Sequence, residues 1–285
     1  MKTGSVLCLD SKGFHRMRYT DWGDPDADSV VLCVHGLTRN CRDFDVLAQA
    51  LSPDFRVVCP DVAGRGQSDW LGAKEDYGYA QYCADMVTLV ARATAGRGEK
   101  RICWVGTSMG GIIGMLLASR PNTPIVKLVV NDVGITIPRA ALERIGAYVG
   151  KDPRFTDFEA LEAYVRAVSA PFGPLTDEQW RHLTLHGARR HEDGSWGMCY
   201  DPDIAVPFRQ GKLAEVDLSS CWDAITCPTL LLRGAQSDVL PKEQAVAMSR
   251  RGPRPKLVEF EGVGHAPMLM AEDQMRVVRE FLLGD

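Results

Sequence analysis

The sequence has 285 residues, of which 45% are hydrophobic and 25% are charged, and these ordinary globular proportions exclude disorder for most of the chain. The 33 Lys and Arg residues stand against 37 Asp and Glu residues, so the formal net charge is -4, which argues against a nucleic-acid partner. No run approaches the roughly 20 apolar residues of a membrane span, and the amino-terminal apolar run is too short for a signal peptide.

The first half of the chain alternates between short apolar runs and longer segments of helical composition. The apolar runs predict strands that are buried on both faces, at residues 30–34, 56–59, 102–105 and 126–130. The segments between them predict helices, at residues 43–51, 77–95 and 109–119. This alternation is typical of a parallel sheet with helices on its faces, so we expect an α/β fold.

The alternation stops after residue 138. The pattern then predicts only helices, at residues 140–149, 157–168 and 177–187. Leu161 and Val165 continue an apolar face at helical spacing, which predicts a packed insertion rather than a linker. Strands are predicted again at residues 229–232 and 256–260. We therefore expect a core of residues 1–138 and 217–285 that is split by a helical insertion at residues 139–216.

The first candidate for chemistry is a G-x-S-x-G pattern. Gly106, Ser108 and Gly110 follow a predicted strand directly and open a predicted helix. A serine at such a turn adopts a strained backbone conformation, and the glycines leave room where side chains would collide with neighbouring backbone. Its hydroxyl is exposed at a helix amino terminus, whose partial positive charge favours a developing anion. The pattern therefore predicts that Ser108 is a nucleophile.

A serine nucleophile needs a base that is itself oriented by a carboxylate. His265, in the loop after the strand predicted at residues 256–260, is the candidate base. Asp238, in the loop after the strand predicted at residues 229–232, is the candidate acid. Asp132 also follows an apolar strand and is the alternative acid. We favour Asp238 because its loop has the usual position after a strand and ahead of the final histidine.

The chain order Ser, Asp, His resembles that of the α/β-hydrolase superfamily, and specifically its cap-bearing bacterial serine esterase and lactonase-like branch. Residues 34–38 (VHGLT) match the oxyanion loop of that family, and residues 61–69 (DVAGRGQSD) match its turn before the nucleophile-side helices. The resemblance implies a mostly parallel central sheet flanked by helices, with residues 139–216 as a helical cap. It also implies that the backbone N–H groups of Leu37 and Met109 form the oxyanion hole.

These features predict a serine hydrolase that cleaves a small-molecule carboxylic ester or lactone through an acyl-enzyme, with no metal and no organic cofactor. A hydrolase of carbon–carbon bonds in vinylogous diketones is the enzymatic alternative, because residues 108–111 (SMGG) are shared with that group. A small-molecule-binding protein without turnover is the alternative from another class, since a fold does not determine a function. The sequence carries no indication of an oligomeric state.

Arg39 and several aromatic residues are candidates for the substrate pocket. Arg39 lies two residues beyond Leu37 and would suit a substrate carboxylate, although an ion pair with Asp43 or Asp45 explains it at least as well. The aromatic candidates all lie in the predicted insertion, where a cap would line a pocket. They are Tyr148, Phe155, Tyr164, Phe172 and Trp180.

The remaining histidine and cysteine patterns have structural explanations. His35 is expected to fix the oxyanion loop with its ring while the neighbouring backbone does the chemistry. His182 and His186 have the i, i+4 spacing of a metal-binding pair, but no H-E-x-x-H pattern accompanies them and an ordinary packed helix is favoured. The 9 scattered cysteines contain no C-x-x-C pair, which predicts neither disulfides nor zinc and indicates a reducing, cytoplasmic location.

Overall fold

The computed structural model of the protein describes residues 1–95, 101–209 and 217–284. Residues 210–216, the end of the predicted insertion, lie outside the described part, as do residues 96–100 and 285 of the predicted core. Among the residues that are described, no helix has the length and apolar character needed to cross a bilayer.

One large sheet forms the centre of the molecule. The strands, in chain order, are β1 (Lys2–Asp10), β2 (Gly13–Trp22), β3 (Ser29–Val34), β4 (Arg56–Pro60), β5 (Arg101–Thr107), β6 (Ile125–Asn131), β7 (Ala188–Arg190), β8 (Trp196–Met198), β9 (Thr229–Gly234) and β10 (Lys256–Phe260). Eight of them form the sheet in the order β1-β2-β4-β3-β5-β6-β9-β10, and β7 and β8 pair separately. β1 and β2 run antiparallel to their neighbours, whereas all pairs from β4 to β10 are parallel.

Helices cover both faces of this sheet. The helices of the described residues, in chain order, are α1 (Asp45–Leu51), α2 (Tyr79–Thr94), α3 (Met109–Ala118), α4 (Arg139–Tyr148), α5 (Phe158–Val168), α6 (Asp177–Gly187), α7 (Val206–Arg209), α8 (Ser219–Ala224), α9 (Lys242–Ser249) and α10 (Glu272–Leu283). Of these, α4 to α7 belong to the segment between β6 and β9 and do not cover a face of the sheet. Val30 and Leu32 of β3 pack into one apolar layer with α2 and α3, and Val31 packs into another with α1 and α10. Successive residues of each apolar run therefore pack into the two apolar layers on opposite faces of the sheet. The predicted mostly parallel sheet with flanking helices is confirmed.

The amino-terminal hairpin of β1 and β2 was not predicted from the sequence. Val6 and Cys8 face the core, while Leu7 and Leu9 are exposed, so burial alternates as expected for a strand with one wet face. This alternation cannot be recognised in the sequence, because residues 6–9 are all apolar although they face alternately inward and outward. The hairpin extends the parallel sheet with an antiparallel edge.

Residues 139–209, called the inserted segment below, lie between β6 and β9 in the chain. The predicted helices are present, and the unpredicted β7–β8 hairpin follows them. α5 begins after Asp157, whose side chain accepts a hydrogen bond from a backbone N–H, and α6 begins with a capping box of Thr176 and Gln179. Leu161 and Val165 of α5 are buried, as their helical spacing predicts.

Hydrogen bonds tie the inserted segment to loops at the carboxyl edge of the sheet. The Asp201 N–H donates to the Gly64 carbonyl at 2.8 Å, and the Gly66 N–H donates to the Cys199 carbonyl at 3.0 Å. The Tyr77 hydroxyl donates to the Asp201 carboxylate at 2.7 Å. The inserted segment therefore lies across the edge where the parallel strands end, and it forms a pocket with the loops there.

Candidate active site

Ser108 lies on the turn between β5 and α3. Its backbone has φ 52° and ψ -114°, a left-handed conformation that is strained for a residue with a side chain. A Cβ atom on Gly106 would lie 2.2 Å from the Gly110 carbonyl oxygen, and one on Gly110 would lie 2.0 Å from the Val34 carbonyl oxygen. Only glycine fits at these two positions, so the local sequence enforces the turn that exposes the serine.

His265 follows β10 and connects Ser108 to a buried carboxylate. Its Nε2 atom lies 3.0 Å from Ser108 Oγ, and its Nδ1 atom lies 2.8 Å from Asp132 Oδ2. Asp132 is the first residue after β6 and is fully buried. Its carboxylate also accepts hydrogen bonds from the Gly234 N–H at 2.8 Å and the Ser237 hydroxyl at 2.6 Å. These donors hold the carboxylate in one orientation toward the imidazole.

Asp238, the favoured acid of the sequence analysis, does not contact His265 in the described structure. Its carboxylate accepts hydrogen bonds from Arg144 Nε at 2.6 Å and Arg144 Nη2 at 2.9 Å, and its side chain is 48% exposed. The assignment of Asp238 is therefore corrected to Asp132, the alternative acid. The physical reason is the set of hydrogen-bond partners, because the Gly234 N–H and the Ser237 hydroxyl hold Asp132 beside His265, whereas Arg144 holds Asp238.

The backbone N–H groups of Leu37 and Met109, which lie beside Ser108, have no hydrogen-bond acceptor in the part of the chain that is described. Leu37 belongs to the loop after β3, and Met109 is the first residue of α3. A Cβ atom on Gly36 would lie 3.7 Å from the Ser108 Cβ atom, which shows how closely this loop approaches the serine. The predicted donors are thus on the loop and helix that adjoin the Ser108 hydroxyl, and their role as an oxyanion hole stays a prediction.

His35 is placed as its structural explanation requires. Its Nδ1 atom lies 2.7 Å from the Gly36 carbonyl oxygen, and its Nε2 atom accepts a hydrogen bond from the Val62 N–H at 2.9 Å. Complete burial lowers the pKa of His35 to about 3, so the ring is neutral at pH 7. The ring connects the loop after β3 to the loop after β4.

Arg65 supports both proposed anion-binding residues and was missed by the sequence analysis. Its guanidinium is fully buried; Nε donates to the Leu37 carbonyl at 2.8 Å, and Nη2 lies 3.7 Å from the Met109 sulfur. Nη1 donates to the Ala63 carbonyl at 2.7 Å and the Tyr82 hydroxyl at 2.9 Å. The signal in the sequence was its position between Gly64 and Gly66, but nothing in that pattern indicates which way the side chain points.

The pocket beside Ser108 is lined by most of the predicted candidates. Arg39, Tyr148, Tyr164 and Phe172 are on its wall, together with residues that the sequence analysis did not name, among them Arg144, Ile145, Met198 and Tyr200. Trp180 is not on the wall. It stacks behind Phe172, with ring centroids 6.3 Å apart and planes 8° apart, and therefore supports a lining residue. Phe155 likewise packs against Tyr164, with ring centroids 5.1 Å apart.

Arg39 lines the pocket, but its charge is already compensated. Nε and Nη2 donate to the two oxygens of Asp43 at 2.8 and 2.6 Å, and the two side chains are 10% and 9% exposed. Separating such a buried pair costs about 3–5 kcal/mol, because each charge would be left unpaired. The ion-pair explanation of Arg39 is the one that the geometry supports.

His182 and His186 lie together with Asp45, and one ligand atom from each falls within 4.8 Å of the others. Arg42 already contacts this group: its Nε atom donates to Asp45 at 2.7 Å, and its Nη1 atom lies 3.3 Å from His186 Nδ1. Burial and the Arg42 charge lower the pKa of His186 to about 4. The positively charged guanidinium of Arg42 occupies this cluster and would repel a metal cation there.

Nearly the whole chain is similar to proteins of known name. A family model described as the alpha/beta hydrolase family matches residues 31–280. The chain belongs to this family. A 3-hydroxybutyrate-oligomer hydrolase from Cupriavidus necator is 46% identical over 291 residues, which cover 99% of this chain and 98% of that relative. A pimeloyl-[acyl-carrier protein] methyl ester esterase from Vibrio cholerae is 26% identical and covers 84% of this chain and 88% of its own.

The solved structures agree with this assignment. The crystal structure of an alpha/beta hydrolase from Novosphingobium aromaticivorans has a TM-score of 0.86 and 34% identity, and the match covers 98% of each chain. The site of the present alpha/beta hydrolase lies at the carboxyl edge of the parallel strands, where open α/β sheets bind their ligands. Its serine turn lies between a strand and a helix, as the nucleophile turn of this fold does.

Proposed function

We propose that the protein is a serine hydrolase of carboxylic esters in which Ser108 is the nucleophile, His265 the base and Asp132 the residue that orients the imidazole. The observation that carries the proposal is the continuous hydrogen-bond chain from Ser108 Oγ through both nitrogens of His265 to Asp132. The order of these contacts is that of a serine, histidine and aspartate triad.

The geometry supports a two-step acyl transfer. His265 Nε2 accepts the Ser108 proton as Oγ attacks the ester carbonyl carbon, and Asp132 stabilises the imidazolium through Nδ1–H. The oxyanion would accept hydrogen bonds from the N–H groups of Leu37 and Met109. The carbon–oxygen bond to the alcohol then breaks, and His265 returns the proton to the departing oxygen. Water repeats the sequence on the acyl-enzyme and releases the acid.

The proposed substrates are linear oligoesters of 3-hydroxybutyrate or a similar hydroxy acid. The support is the 46% identity, over nearly the whole chain, to a relative named a 3-hydroxybutyrate-oligomer hydrolase. The pocket wall combines aromatic side chains from the inserted segment with a small number of charged groups, which suits a substrate with both carbon chain and polar ester units. The inserted segment is proposed to act as the cap of this pocket.

The decisive experiment combines labelling with turnover. A serine-directed fluorophosphonate should add to Ser108, detected by mass spectrometry of the digested protein. Ser108→Ala should lose the adduct and reduce kcat on p-nitrophenyl esters by on the order of 10³-fold or more. Ser119→Ala, at the far end of α3, is the matched control and should retain both. A protein that hydrolyses neither aryl esters nor 3-hydroxybutyrate oligomers would refute the proposal.

A further inference from the structure

The positive and negative charges on the pocket wall do not cancel. Arg39 and Asp43 both line the pocket and neutralise each other through their buried ion pair. Arg144, on α4 of the inserted segment, also lines the pocket, but its partner Asp238 is not among the lining residues. The titratable His265 also lines this cavity. The wall therefore presents one guanidinium whose counter-charge lies outside the pocket.

The two arginines differ in how firmly their carboxylate partners hold them. The side chains of Arg39 and Asp43 are 10% and 9% exposed, whereas those of Arg144 and Asp238 are 41% and 48% exposed. A solvated ion pair is weak, since water competes with each partner, and it can exchange one carboxylate for another. Arg144 is therefore the wall arginine that can accept a carboxylate from a ligand.

The donor pattern of Arg144 leaves room for a second carboxylate. Asp238 uses Nε and one hydrogen of Nη2, and a guanidinium carries five N–H donors in a planar fork. Tyr148, another wall residue, lies four residues beyond Arg144 on α4 and therefore on the same face of that helix. A planar guanidinium next to a phenol hydroxyl suits the two oxygens of a carboxylate.

We infer that Arg144 is a specificity-determining residue that binds the free carboxylate of an acidic ester, such as the acid end of a linear hydroxy-acid oligomer. The inference rests on the proposed function, because it places this carboxylate in the same pocket as the scissile ester. It moves the carboxylate contact from Arg39, where the sequence suggested it, to an arginine whose own partner is exchangeable. Asp238 then holds Arg144 in place when the pocket has no acidic ligand.

The test compares one substrate in two charge states. The free acid of the 3-hydroxybutyrate trimer and its methyl ester share every ester bond of the oligomer, so the ratio of their kcat/KM values for cleavage of those shared bonds, counted apart from methanol release, isolates carboxylate recognition. The wild-type enzyme should prefer the acid. Arg144→Gln should reduce that ratio by about 10-fold or more, mainly through KM, and Arg144→Lys should restore part of it. Arg139→Gln, on the same helix but exposed and off the wall, should leave the ratio unchanged.

Binding to the Ser108→Ala variant separates this inference from the proposed function. Calorimetry of the acid and the methyl ester on that background measures recognition without turnover, with and without Arg144→Gln. A preference for the acid that disappears with Arg144→Gln supports the subsite even if the wild-type protein proves inactive on oligoesters. Equal affinity for the two compounds, or an equal loss for both in Arg144→Gln, would overturn the subsite even if the protein is an active esterase.

Discussion

The loops after β6 and β9 each place an aspartate at the same edge of the sheet, but the two carboxylates have opposite surroundings. The side chain of Asp132 is 0% exposed and accepts hydrogen bonds from a backbone N–H and a hydroxyl beside its imidazole contact. That of Asp238 is 48% exposed and is held by Arg144. A buried carboxylate with fixed donors keeps one orientation, whereas a solvated ion pair exchanges partners. Burial and hydrogen-bond donors therefore distinguish the two carboxylates, which their order along the chain does not.

Exchanging each aspartate for asparagine tests most directly which of the two carboxylates is needed for turnover. Asp132→Asn should reduce kcat on p-nitrophenyl acetate by about 10⁴-fold, because the amide no longer favours the imidazole tautomer that can accept the serine proton. Asp238→Asn should change kcat by less than about 10-fold, since this carboxylate has no contact with His265. Steady-state kinetics of the two variants provide the measurement.

Each asparagine variant is matched in size and loses one charge, so the pair controls for the substitution itself. Thermal unfolding checks that Asp132→Asn, which replaces a buried carboxylate, still folds, and fluorophosphonate labelling counts the competent sites. The reverse result, with activity lost in Asp238→Asn and retained in Asp132→Asn, would restore the assignment first made from the sequence.

The signals that made Ser108 and His265 candidates are local in the sequence, and the structure places the two side chains in contact. The glycines at positions 106 and 110 belong to the same turn as the serine, and steric exclusion of a Cβ atom ties them to it. The buried strands were also predictable, because a run such as residues 30–34 serves two apolar layers and leaves no polar face. In each case the physical cause acts within a few residues of the motif.

The acid could not be chosen in this way, because its choice depends on contacts between segments that are distant in the chain. The Gly234 N–H and the Ser237 hydroxyl hold Asp132 beside His265, whereas Arg144 of the inserted segment holds Asp238. The same holds for the pocket wall: Phe172 lines it and Trp180 stacks behind, although both are aromatic residues of one segment. Which ring faces the cavity is decided by tertiary packing of α6, and helical spacing alone does not report it.

Removing the hydroxyl of Ser237 tests whether the hydrogen bonds of Asp132 matter for turnover, because Ser237 belongs to the loop after β9 but donates to the buried carboxylate of Asp132. Ser237→Ala deletes the 2.6 Å hydrogen bond to Asp132. A hydrogen bond to a charged group contributes about 1.5–3 kcal/mol, so kcat should fall by about 10- to 100-fold if the bond positions Asp132 for catalysis. Kinetics on a neutral aryl ester should show the loss in kcat with little change in KM.

The control for Ser237→Ala is Ser195→Ala, which removes an exposed serine hydroxyl that donates to Asp193 at 2.6 Å and should leave kcat unchanged. Ser237→Thr keeps a hydroxyl and should recover much of the activity. A loss of stability in Ser237→Ala without any change in kcat would show that the hydroxyl only fills a hydrogen-bonding need of the fold.

The smallest expected effect concerns the pH dependence of the Asp238–Arg144 pair. Partial burial acts to raise the pKa of Asp238, but the hydrogen bonds and charge of Arg144 outweigh it, so the pKa is lowered from its ordinary value of 3.8. Because the folded pKa lies below the unfolded one, the stabilisation is present above the unfolded pKa and is lost as the pH falls through the folded value. A pair this exposed should contribute at most about 1 kcal/mol to the free energy of unfolding.

Urea unfolding of the wild type and Asp238→Asn measures this contribution as a difference in the free energy of unfolding. The difference should be constant from about pH 7 to 5 and should shrink as the pH falls below the ordinary aspartate pKa of about 3.9 and through the lowered pKa of the folded state. A difference that stayed constant throughout this acidic range would mean that Arg144 does not hold Asp238 as an ion in solution. Arg144 would then need no exchange of partners to receive a ligand carboxylate, and the acid preference of Asp238→Asn should equal that of the wild type.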